Sequence, residues 1–217
     1  MLDFYSDYRN FGYGSGALSP DNRSFYINIP KNASSFMNSC LAYHGWTTST
    51  VNHWGTDWNK VENLVVVLRD PVDRWLSGIS QYVKTYILST RLEEYLDFRE
   101  FEKNYNLLSE RLFFDQLHLF DDHVWPQYCF FDKILPNAPR TYFYVNKNLE
   151  DNIYRFFDFD TSENADLNYN NSADDRELGL LKTFFSNKVS NNEKLLRKIK
   201  ESYETDYKII NSNNLIY

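Results

Sequence analysis

Two cations and the small polar residues around them carry the chemistry of this sequence. Arg69 stands in Leu68-Arg69-Asp70-Pro71, and Ser77 follows it eight positions later. Lys31 opens a second stretch, Pro30-Lys31-Asn32-Ala33-Ser34-Ser35-Phe36. A guanidinium or an ammonium beside hydroxyls and turn amides is a donor set suited to phosphate-like anions. His53 adds an imidazole, which takes up a proton near neutral pH. Two anion cradles on one chain suggest a ligand with two separate phosphate groups, and His53 is placed to take a proton from an acceptor hydroxyl.

The surrounding residues say what must position these groups. Leu64-Val65-Val66-Val67-Leu68 is an unbroken apolar run rich in β-branched residues, the pattern of a buried parallel strand. Asp70 reads as a helix N-cap, Pro71 as the first helical residue and Asp73 as the acidic position of a capping box. Trp75, Leu76, Ile79, Tyr82 and Val83 recur at helical spacing, which predicts a long helix from Pro71 to about Leu88. Phe25 to Ile29 predicts an earlier strand, and Phe36, Met37, Leu41 and Ala42 the apolar face of a helix after the lysine loop. Both cations thus fall where strands leave a sheet, the edge at which open α/β folds bind ligands. Each has a plainer alternative: a buried arginine paired with Asp70 or Asp73, and an exposed turn with a solvated lysine. The lysine stretch is not a Walker A loop, because its glycines are missing and the lysine precedes the small residues.

Composition narrows the classes. A chain of 217 residues with 42% hydrophobic and 18% aromatic content supports one good-sized globular core. A net charge of −7 argues against a nucleic-acid partner. Cys40 and Cys129 make no disulfide framework, and no Cys/His cluster has zinc spacing. No apolar run of signal-peptide or transmembrane length opens the chain, so a soluble, cytoplasmic protein without a membrane anchor is expected. Residues 1–24, with Gly12, Gly14 and Gly16, read as an N-terminal arm or irregular loop, and residues 25–217 as the domain. Trp46 to Val51 predicts a strand, with His53 just beyond it; His44 is a poorer candidate for the base, and Asp57 or another carboxylate would be the replacement for His53. Phe98 to Leu108 and Leu112 to Leu119 suggest helices, Thr141 to Val145 a late strand, Asn148 onward a helix, and Glu193 to Ile210 a last one. Asn170-Asn171-Ser172 fits a helix N-cap before Asp174-Asp175.

With these motifs in view, the chain resembles the sulfotransferases that use 3′-phosphoadenosine 5′-phosphosulfate (PAPS), in particular the carbohydrate sulfotransferases and their bacterial relatives. Pro30 to Phe36 resembles their 5′-phosphosulfate loop, and Arg69-Asp-Pro-x-x-Arg74-x-x-Ser77 their 3′-phosphate motif. His123-Val-Trp-Pro126-Gln127 is similar to an element that lines their cleft, and Tyr203-Glu-Thr-Asp206-Tyr207 to a closing signature. The resemblance runs from about Phe25 to Ile210. It implies a single α/β domain, a parallel sheet flanked by helices in a P-loop-like architecture. It also implies sulfuryl transfer from PAPS to a hydroxyl or amine of a glycan or small molecule, leaving 3′,5′-bisphosphoadenosine (PAP), without a metal. Lys31 and His53 would be catalytic. Lys31, Asn32, Ala33, Ser34, Ser35, Phe36, Arg69 and Ser77 would bind the cofactor, with Arg74 bracing the motif. The rival readings are a P-loop nucleotide kinase or phosphotransferase, and a nucleotide-binding protein without catalysis.

Overall fold

The computed structural model describes residues 15–50, 57–88, 122–135, 137–160 and 175–217. In chain order the described elements are β1 (Ser15–Leu18), β2 (Ser24–Ile27), α1 (Ser34–Tyr43), β3 (Thr47–Thr50), β4 (Asn63–Leu68), α2 (Pro71–Tyr82), β5 (Arg140–Tyr144), α3 (Leu149–Phe157), α4 (Arg176–Ser190), α5 (Glu193–Ser202) and α6 (Glu204–Ser212). They fall into two compact units. The first draws on Met1–Arg69, Gln127–Asn170 and Lys208–Tyr217, the second on Asp70–Pro126 and Asn171–Tyr207.

The first unit is built on a five-stranded sheet of order β3-β1-β2-β4-β5. The α/β class is as expected, but the sheet is mixed rather than wholly parallel. β2, β4 and β5 run parallel, whereas β1 is antiparallel to both β2 and β3. The difference lies in Ser15–Leu18, inside the segment read as an arm. Its Ser-Gly-Ala-Leu sequence carries no β-branched signal, and a tight turn folds it back onto β2. In that turn the Ser19 amide donates to the Ser24 carbonyl, and Asn22 adopts the left-handed φ of 60° that asparagine tolerates. Gly16 permits the pairing, because a Cβ there would lie 1.8 Å from the Tyr26 carbonyl oxygen. Gly16→Ala is therefore expected to destabilise the protein by about 1–3 kcal/mol, as overpacking does. Thermal unfolding checks this, and an unchanged midpoint would show that the strands can part at no cost.

β4 is buried along its length: Leu64 to Leu68 are at most 1% exposed, so both its faces are covered. This explains why its sequence is continuously apolar rather than alternating. On one face Tyr26, Val65, Val67 and Phe143 pack with Met37 and Cys40 of α1 and Ile153 of α3. Each such side chain contributes about 1.5–3 kcal/mol of burial. Beside β5 the chain returns near its end, where Ile216 exchanges backbone hydrogen bonds with Tyr142 and Tyr144.

The second unit gathers α2, α4 and α5 around Trp75, Ile79, Phe185 and Ile199, with the single turn at Asp122–Val124. α2 continues past Tyr82 as one wider turn through Leu88, so the helical signal is real over that whole length. α4 is capped by Asp175, which accepts from the Leu178 amide and forms an ion pair with Lys84. The Lys84 hydrogen bond, and then that amide, hold the Asp175 carboxyl below the usual carboxylate range. The one helix expected from Glu193 to Ile210 is instead two, α5 and α6, broken at Tyr203. That residue is 1% exposed and spends its hydroxyl on the Val124 carbonyl. Among the described residues no helix is long and apolar enough to cross a membrane.

Candidate functional site

Parallel pairing of β2 with β4, in register from Ser24↔Asn63 to Ile27↔Val66, brings the carboxyl ends of both strands to one edge of the first unit. The lysine loop leaves β2 there, and Arg69 leaves β4. The two meet directly: the Arg69 Nη1 donates to the Lys31 carbonyl oxygen at 3.1 Å. Both candidate cations thus belong to one small region of one unit.

The lysine loop is held in an unusual shape. Lys31 and Ala33 take left-handed φ angles of 67° and 58°, each costing a non-glycine residue about 1–2 kcal/mol. Ala33 is the N-cap of α1 and offers no side-chain acceptor to it. The first α-helical bond runs from the Met37 amide to the Ala33 carbonyl. Among the described residues no partner is formed by the amides or hydroxyls of Ser34 and Ser35. Helix amides at this position normally receive a cap from serine, threonine, asparagine or aspartate, and without one they suit an anion. Phe36 is half-buried on the first turn.

Asn32 is bonded on several sides within that loop. Its backbone amide donates to Ile29 across the turn at 3.2 Å, and its side chain is fully buried. The Nδ2 donates to the Val67 carbonyl at 2.7 Å and to the Gln127 Oε1 at 2.6 Å. All of its donors are bonded inside the protein, which holds the shape of the loop, while its Oδ1 is buried without a hydrogen-bond partner. Gln127, expected to line a cleft, is also fully buried. Besides Asn32, its Oε1 accepts from the Arg69 amide at 2.9 Å and its Nε2 donates to the Arg69 carbonyl at 2.8 Å. The sequence signal for Gln127 was its motif; nothing local foretold its partners.

In the second unit, Asp70 caps α2, accepting from the Val72 and Asp73 amides at 2.9 and 3.0 Å. The helix amides that could have met an anion are therefore occupied by a carboxylate. The Tyr207 hydroxyl lies 3.3 Å from the other Asp70 oxygen, so the closing tyrosine of the signature steadies this cap. Arg74 is 1% exposed and donates to the carbonyls of Trp125 and Asp122. Ser77 is 4% exposed, and among the described residues its hydroxyl has no hydrogen-bond partner. At Gly78 α2 lies so close to the Asp122–Val124 turn that a Cβ would come 2.3 Å from the His123 carbonyl oxygen. The His123 Nδ1 lies 3.1 Å from the Asp122 carboxylate.

His53 lies outside the described residues, as do Asn170, Asn171, Ser172 and the segments from Phe98 to Leu108 and Leu112 to Leu119. Of the other base candidates, Asp57 caps a single turn through the Asn59 amide, and His44 stacks on Phe159 with ring centroids 3.8 Å apart. Neither cysteine is an available nucleophile: both are buried, and burial pushes the Cys40 thiol up to about 11. Among the described residues no cluster of three His, Cys, Asp or Glu side chains is placed to hold a metal ion. A cavity of about 520 Å³ opens beside Trp58, Glu62 and Pro139, before the start of β4 and β5 and so at the opposite end of those strands from Arg69. Comparison with protein-family models, with curated proteins and with solved structures finds no match to this chain.

Proposed function

We propose that this protein transfers a sulfuryl group from PAPS to a hydroxyl or amine of a glycan or small molecule. The observation that carries the reading is the meeting of the two loops. Arg69 rests on the Lys31 carbonyl beside a helix N-terminus that no side chain caps. A guanidinium, an ammonium-bearing loop and free helix amides at the carboxyl edge of parallel strands form a donor set for an anionic ligand. In this reading the Ser34 and Ser35 amides and hydroxyls hold the 5′-phosphate, and Arg69 holds the 3′-phosphate. The acceptor oxygen attacks sulfur in line as the bond from sulfur to the bridging oxygen breaks. The electron pair leaves with PAP, Lys31 offsets the charge on its 5′-phosphate, and His53 takes the acceptor proton.

Calorimetric titration with adenosine 3′,5′-bisphosphate, beside ATP and AMP and without added metal, tests this directly. Micromolar or tighter binding of the bisphosphate, with ATP and AMP far weaker, is the expected result. Equal binding of all three, or of none, would remove the 3′-phosphate site and the donor class with it. A requirement for magnesium and ATP would favour a phosphotransferase instead.

A further inference from the structure

Asn32 and Gln127 form a buried amide pair whose bonding leaves little freedom of orientation. The Val67 carbonyl can only accept, so Asn32 must turn its Nδ2 toward it. That same nitrogen meets Gln127, which must therefore present Oε1, leaving its Nε2 for the Arg69 carbonyl. One glutamine amide then bonds both the N–H and the C=O of Arg69, as a neighbouring strand would. It does so one residue beyond Leu68, the last residue of β4 paired with β5. We propose that Gln127 is a positioning residue for anion binding: through its side-chain amide it fixes the Arg69 backbone against the lysine loop, so that the guanidinium and the α1 N-terminus face one ligand in a set geometry. Gln127 itself touches no ligand. The inference rests on the bisphosphate reading of the two loops and adds how they are held in mutual register.

The test compares wild type with Gln127→Met, which keeps length and loses every hydrogen bond, and Gln127→Glu, which keeps the two acceptor roles and loses the donor. Dissociation constants for adenosine 3′,5′-bisphosphate are measured by calorimetry, and thermal midpoints on the same samples. Gln127→Met is expected to weaken binding at least about tenfold in protein that remains folded, with Gln127→Glu also weakened. Asn32→Ala should weaken binding too, and the Asn32→Ala/Gln127→Met double variant should be no weaker than the worse single variant, since the two act as one unit. Folded Gln127→Met that binds the bisphosphate like wild type, even with a lowered midpoint, would make Gln127 merely structural and overturn the proposal. If that variant does not fold, Gln127→Glu decides by the same comparison. Wild type that shows no preference for the bisphosphate would instead overturn the underlying reading and take this inference with it.

Discussion

Replacing Arg69 with alanine is expected to raise the dissociation constant of adenosine 3′,5′-bisphosphate by about 100-fold. A hydrogen bond to a charged group contributes about 1.5–3 kcal/mol, and each 1.4 kcal/mol is about tenfold in affinity. The variant also loses the contact from the guanidinium to the Lys31 carbonyl, so the lysine loop is less well held. AMP separates these two effects. It lacks the 3′-phosphate, so its affinity should fall only by the part that comes from the loosened loop. Arg69→Lys should recover a minority of the loss, because an ammonium keeps the charge but not the two-point planar donor. Equal weakening of AMP and bisphosphate would assign Arg69 to holding the loop and leave the 3′-phosphate without its cation.

The largest effect on stability is expected at Arg74. Its guanidinium lies inside the second unit and donates to the Trp125 and Asp122 carbonyls. Arg74→Met preserves much of the volume but leaves both oxygens short of a donor, at about 1–3 kcal/mol each. A total near 4 kcal/mol would lower the thermal midpoint by about 10 °C in a chain of this size. The carbonyls it braces lie in the Asp122 to Pro126 stretch, beside the close approach at Gly78. If the midpoint moved by only a degree or two, water or another side chain must be able to replace the guanidinium. The bracing role given to Arg74 would then be lost.

The relation between sequence and structure differs from element to element for physical reasons. β4, Asp70, Pro71 and α2 were legible because each signal is local. A strand buried on both faces must be apolar throughout, and an N-cap acts on amides two and three residues away. The loop after β2 was legible in its composition, but not in its conformation or in the fate of Asn32. β1 was missed because a glycine-bearing strand of four residues carries almost no pattern, and its place in the sheet depends on a partner it can approach closely. The break at Tyr203 was hidden because the helical period runs on through it, and the buried hydroxyl at the break finds its acceptor 79 residues away.

For the candidate site, the sequence by itself determined which residues could bind an anion and that Lys31 and Arg69 stand at strand ends. Only the tertiary structure decided that Arg69 lies against the Lys31 carbonyl, that the Asn32 donors are bonded internally, and that Asp70 occupies the α2 amides. It also decided that Gln127, 58 residues from Arg69 and 95 from Asn32, ties those two together. Such bonds join groups that meet only after the chain has folded. No periodicity or spacing along the sequence encodes them, since periodicity reports the face a residue takes and not the partner it finds there.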